Sequence, residues 1–324
     1  MRIGLIDVDG HHFPNLALMR ISAWHKSQGD EVEWWWTDLI HYDRVYMSKI
    51  FSDAYSPDVP EPMNCDEVIK GGTGYAIHLE GGREVFDQSK HKNLPDEIER
   101  MFPGYSIYPQ FDFAVSMTSR GCPRKCPFCH VGAKEGCMSR KVADVSSFWN
   151  GQPEIRVLDP NITACKDKRD LFQQYRETGA VIDFTQGLDI RCMNEADIDE
   201  VNRMRIRQLH FAWDNPCDDL ENKFRAFAGQ YRRAHKGMVY CLTNFESVSV
   251  DEHIERALYR IMTLSGLGFD PYLMIYDKPH APLEIKDLQR WCNNKIIFKK
   301  VPNFKDYKPT RRAEDGKRKD PPPG

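Results

Sequence analysis

Ser119-Arg120-Gly121-Cys122-Pro123-Arg124-Lys125-Cys126-Pro127-Phe128-Cys129-His130 is the stretch on which the reading of this chain turns. It spaces three cysteines as C-x3-C-x2-C, so that a loop over 122–129 brings three thiolates to one point. Pro123 and Pro127 remove backbone donors and stiffen the loop, while Gly121 permits a tight approach into it. Three thiolates suit an iron–sulfur cluster whose fourth iron stays open to a further ligand. The same residues also admit a tetrahedral Cys3His zinc site with His130 as the fourth donor. A zinc knob has little use for two hundred further residues of alternating strand and helix.

The loop resembles the cluster loop of the radical S-adenosylmethionine (radical SAM) enzymes. That resemblance implies a [4Fe–4S] cluster on Cys122, Cys126 and Cys129, with SAM chelated at the open iron and Phe128 packed near its adenine. It implies one-electron cleavage of SAM to a 5′-deoxyadenosyl radical that abstracts hydrogen from a substrate (small molecule, peptide or RNA). An electron donor such as flavodoxin or ferredoxin goes with that chemistry.

Composition sets outer bounds. The chain has 324 residues, 41% of them hydrophobic and 29% charged, as in an ordinary globular protein. A net charge of −3 provides no overall attraction to nucleic acid or an anionic membrane. Ten cysteines with no signal-peptide pattern point to a reducing, cytoplasmic setting. No apolar run reaches the length that spans a bilayer, so no membrane partner is expected.

Ahead of the loop, residues 2–8 read as a buried strand, and Pro14 as the opening of a helix with Leu16, Met19, Ile21 and Trp24 on its apolar face. Strands are expected over 31–36, 43–51 and 67–70, the last running into Gly71-Gly72-Thr73-Gly74. This alternation predicts a small Rossmann-like, doubly wound α/β domain over 1–105. In several radical SAM subfamilies a domain of this kind binds cobalamin, through histidine in D-x-H-x-x-G where cobalt is ligated. Here Asp7-Val8-Asp9-Gly10-His11-His12 puts the histidine out of register, so the fold resemblance admits cobalamin while the residues argue against it. The glycine cluster suits backbone contact with a phosphate, and equally a plain turn.

Behind a proline-rich connection, strands are expected at 112–118, 155–158, 181–185, 208–213, 238–243 and 272–276, with helices between them. Six strand–helix repeats match the partial (β/α)6, TIM-like barrel of the radical SAM core, placed over 106–300. In such barrels the chemistry sits at the carboxyl ends of the strands. Asp159-Pro160-Asn161 stands where many family members carry Gly-Gly-Glu; that motif is missing, and Asp159 and Asn161 are assigned to the methionine end of SAM, against the alternative of a plain turn. Arg191 pairs with the SAM carboxylate or, more simply, with Asp189. Asp214 suits the ribose diol; Thr243-Asn244-Phe245, Asp277 and Lys278 end the last two strands, and no hydrogen-abstracting or donating residue is assigned.

Cys137, Cys165, Cys192, Cys217, Cys241 and Cys292 lack metal spacing and read as small buried residues. They supply no second cluster, and Cys65 alone cannot supply the one that methylthiotransferases carry. Trp34, Trp35 and Trp36 are expected to pack in the core or between domains. The run Ile296-Ile297-Phe298-Lys299-Lys300 looks strand-like, and 301–324 forms a basic, proline-ended tail. Lys308, Arg311, Arg312, Lys317, Arg318 and Lys319 there suit RNA phosphates. Two other functions stay open at this point. One is a non-catalytic, zinc-stabilised nucleic-acid-binding module, and the other a cobalamin-dependent radical SAM methyltransferase.

Overall fold

The structure is a computed structural model that describes residues 1–81 and 83–309. Of the basic tail, Arg311, Arg312, Lys317, Arg318 and Lys319 lie outside the described residues. The described residues form two compact units, the first drawn from residues 1–212 and 222–237, the second from 213–221 and 238–309.

The first unit opens with β1 (Arg2–Asp7), α1 (Leu16–Ser27), β2 (Glu31–Trp34), β3 (Tyr42–Ser48) and β4 (Cys65–Gly71). All pairings are parallel, in the order β2-β1-β3-β4, as the apolar run 2–8 and the strand–helix alternation predict. The cap of α1 is Asn15, whose side chain accepts from Leu18 N–H; Pro14 precedes the cap instead of opening the first turn. Gly72 and Gly74 close on the chain itself. A Cβ at Gly72 would stand 2.2 Å from Lys49 O and one at Gly74 2.2 Å from Phe51 O, so packing accounts for these two glycines. An antiparallel hairpin, β5 (Ile77–Glu80) and β6 (Arg83–Phe86), and a short helix α2 (Asp96–Glu99) complete the segment.

The same unit continues through β7 (Ala114–Ser116), β8 (Ser119–Arg120), α3 (Val131–Glu135), β9 (Arg140–Lys141), β10 (Glu154–Val157), α4 (Lys168–Glu177), β11 (Val181–Leu188), α5 (Glu195–Arg203), β12 (Arg205–Ala212) and α6 (Glu221–Gln230). Strands β7, β10, β11 and β12 lie in that order, all parallel. One apolar core joins the two halves: Ile3, Leu5, Leu18 and Met19 cluster with Tyr108, Phe113 and Val115. The first hundred residues are thereby built onto the strand that leads into the cysteine loop.

The second unit contains β13 (Met238–Thr243), α7 (Val250–Gly266), β14 (Asp270–Ile275), α8 (Leu283–Asn293) and α9 (Lys295–Lys300), with β13 and β14 parallel. Strands therefore form in all six regions expected after residue 111. Residues 295–300 correct the reading: they are helical, because Asn294 caps them by accepting from Ile296 and Ile297 N–H. A short apolar run does not distinguish strand from helix by its period. Trp36 corrects another expectation: it is 73% exposed, whereas Trp34 packs edge-on to Tyr108 and donates its indole N–H to Ile107 O. Among the described residues no helix is long and apolar enough to cross a membrane.

Candidate metal centre

The cysteine loop leaves the sheet at the carboxyl end of β7. Its stem is the short antiparallel pair β8–β9, in which Ser119 faces Lys141 and Arg120 faces Arg140. Gly121 sits at φ 87°, and a Cβ there would stand 2.2 Å from Met138 O, so glycine alone fits. Cys122 N–H donates to Gly136 O at 3.1 Å, and Cys129 N–H donates to Cys126 O at 3.0 Å, which curls the segment back on itself. Cys122, Cys126 and Phe128 are half-buried and Cys129 is exposed.

Two side chains from the turn after β10 meet this loop. Asp159 is 2% exposed and turned inward. Its oxygens accept Thr118 N–H and Thr118 Oγ1, both at 2.8 Å, and Ser119 N–H. Burial pushes its carboxyl up to about 6, against the opposing pull of the Ser119 and Thr118 donors. The carboxylate assigned to SAM from sequence is thus engaged by the stem of the loop. Asn161 is 4% exposed, and its Nδ2 lies 3.3 Å from Cys122 Sγ.

A third contact comes from the end of β11. Asp189 Oδ2 accepts Arg124 Nε at 2.7 Å, Arg124 being one of the residues between the first two cysteines. Arg191 Nε donates to Asp189 Oδ1 at 2.7 Å, so the ion pair weighed as the simpler alternative is present. These two guanidinium groups hold the Asp189 carboxyl below the usual carboxylate range in spite of its burial, which acts the other way. Thr163 Oγ1 accepts from Asp189 N–H at 2.9 Å and so links the two strand ends. Asn161, Arg191 and the cysteine loop are therefore neighbours within one network.

Asp214 belongs to the second unit. Its Oδ1 accepts Leu242 N–H at 3.1 Å. The buried Arg260 donates to the carbonyl oxygens of Trp213, Asp214 and Leu242 at 2.6, 3.0 and 3.0 Å. The strand ends of this unit hold two non-glycine residues with positive φ, Asn244 at 64° and Asp277 at 48°. Strain of that kind concentrates where a structure serves function.

His130, the fourth donor of the zinc alternative, has Nε2 3.7 Å from Glu84 Oε2. Among the described residues, the donor atoms of Cys122, Cys126, Cys129 and His130 do not gather within 4.8 Å of one another. Tetrahedral zinc with Zn–S near 2.3 Å would set its sulfurs roughly 3.8 Å apart. Of the remaining cysteines, Cys165, Cys241 and Cys292 are buried as expected and Cys192 is half-buried; Cys137 and Cys217 are exposed and correct the reading. The sequence reading passed over Arg124, Thr163 and Arg260. An arginine inside the cysteine spacing was the one visible signal; the other two act through tertiary contacts.

No protein-family model matches the sequence, and no curated protein matches it. Among solved structures, the chain is similar to the radical S-adenosylmethionine methyltransferase TsrM from Kitasatospora setae, with cobalamin and [4Fe-4S] cluster bound. The TM-score is 0.61 at 10% sequence identity, covering 85% of this chain and 72% of that one. At this level of identity the likeness is one of fold alone. The neighbour contains cobalamin, and an expectation that cobalamin is unlikely is not supported by it.

Proposed function

We propose that this chain is a radical SAM enzyme, with a [4Fe–4S] cluster held by Cys122, Cys126 and Cys129 in a partial (β/α)6 barrel. The observation that carries the reading is the three-cysteine loop itself. Its entry tolerates only glycine, and it is gripped from two successive strand ends by Asp159 and Asp189. Three thiols at C-x3-C-x2-C spacing suit a cluster with one iron left open to a further ligand. When bound, the cluster supplies the single electron that reductive cleavage of SAM needs.

The chain's own residues divide the remaining work. Asp159 fixes the angle at which the loop leaves β7, since its acceptors consume both Thr118 donors and the Ser119 amide. Arg124, paired with Asp189, clamps the segment between the first two cysteines. Arg191 is 29% exposed in its side chain and already oriented by Asp189, which suits it to a ligand carboxylate. Phe128 offers an aromatic face for adenine. The protein's part is to orient SAM and keep water from the site.

A second reading, methyl transfer through cobalamin on the 1–105 segment, is favoured by the cobalamin in the structural neighbour. One experiment addresses both. The protein is reconstituted anaerobically with iron and sulfide, then reduced with dithionite in the presence of SAM, with and without cobalamin. About four irons per chain, 5′-deoxyadenosine formation, and loss of both in Cys126→Ala are expected. Tight zinc binding with SAM left intact would overturn the radical SAM reading; stoichiometric cobalamin retention with methyl transfer would select the second.

A further inference from the structure

We infer that Asn161 poises the reduction potential of the iron–sulfur centre by donating a hydrogen bond to the Cys122 thiolate, an inference that rests on the cluster reading above.

The orientation of the Asn161 amide is decided by its neighbours. Its Oδ1 receives the Ala164 backbone N–H at 3.2 Å and the Thr163 hydroxyl at 3.0 Å. A backbone N–H can only donate, so that terminus of the side chain is the oxygen. The NH2 terminus therefore faces Cys122 Sγ, at 3.3 Å, and Asp189 Oδ2, at 3.4 Å. The backbone is tethered too, because Asn161 O accepts Ser139 Oγ at 2.8 Å. Held at both ends and 4% exposed, this donor cannot swing away to water.

A buried N–H aimed at a ligand sulfur has a defined electrostatic effect. Reduction adds negative charge, part of it on the sulfurs, so the donor stabilises the reduced state more than the oxidised one and raises the potential. Low local dielectric strengthens that effect. The carboxylate that shares the amide, Asp189, would act the other way. Arg124 and Arg191 both pair with it and offset its charge. Asn161 thus serves as a positioning residue acting through Cys122, in place of the SAM contact expected from its sequence position.

The test is an electron-paramagnetic-resonance redox titration of the anaerobically reconstituted full-length protein without SAM, comparing wild type with Asn161→Leu and Asn161→Asp. Leucine keeps the volume and removes the donor. Aspartate keeps an acceptor for Ala164 and Thr163 while removing the N–H. Both variants should hold wild-type iron and sulfide, with the equilibrium constant for reduction falling up to about tenfold, which is about 59 mV for a one-electron couple. Wild-type potentials in both variants at full cluster content overturn the inference and leave the cluster reading standing. Failure of both variants to assemble a cluster also overturns it, because Asn161 would then build the loop instead of poising it. A wild-type protein that binds zinc and builds no cluster sinks the underlying reading and this inference with it.

Discussion

Substituting Asp159 separates two roles for one carboxylate, as anchor of the cysteine loop and as contact for SAM. Asp159 accepts from Thr118 N–H, Thr118 Oγ1 and Ser119 N–H in a site where it is 2% exposed. Asparagine keeps the shape but offers one acceptor oxygen, and its NH2 group must then face a donor. One buried amide loses its partner, at about 1–3 kcal/mol. Alanine strips both backbone amides, for about 2–6 kcal/mol, partly offset because no carboxylate is then buried. The measurement is the denaturant midpoint of the apo-protein at about pH 8, above the value near 6 at which this carboxyl ionises, alongside iron per chain after reconstitution. As an anchor, Asp159 lowers both readouts when replaced, alanine more than asparagine. As a SAM contact it leaves stability and iron intact and weakens SAM binding alone. Stability within about 0.5 kcal/mol of wild type in both variants, the range of an ordinary surface substitution, would refute the anchor argument.

Gly121→Ala forces a side chain to φ 87° with its Cβ 2.2 Å from Met138 O; a loss of about 2–4 kcal/mol and failure to load iron are expected in denaturation and metal analysis. Arg260→Met leaves three backbone carbonyls without their donor and should cost about 2–4 kcal/mol, read as a lower unfolding midpoint of the second unit, with iron content unchanged. His25 is buried between Asp30 and Tyr46, and burial lowers its pKa. Because the unfolded chain takes up a proton near about pH 6.5 that the folded chain refuses, stability should fall as the pH drops through that value. His25→Gln should flatten that part of a pH–stability profile.

Much of the scaffold was legible because local chemistry repeats there. The apolar run 2–8 and the strand regions after residue 111 obey short-range rules of period and turn composition. Misreadings came where two rules compete. Residues 296–298 are apolar enough for a strand, yet the Asn294 cap next to α8 makes them helical. Cys137 and Cys217 are exposed although cysteine as a type favours burial.

The candidate centre divides along the same line. Three cysteines at C-x3-C-x2-C are a covalent fact of the sequence, and so is the glycine before them, because spacing along a short loop limits where its donors can reach. Their surroundings are not local. Asp159 lies forty residues from Ser119, Asn161 thirty-nine from Cys122, and Asp189 sixty-five from Arg124. Asp-Pro-Asn has the same turn chemistry whichever way its side chains point. Parallel strands set β7, β10 and β11 side by side, and only that adjacency turns Asp159 towards the stem and Asn161 towards sulfur. The sequence by itself determined which donors are available and how closely they are strung. The tertiary structure decided which carboxylate holds the loop and which amide faces a thiol, because hydrogen bonds depend on distances that crossover connections, not chain neighbours, create.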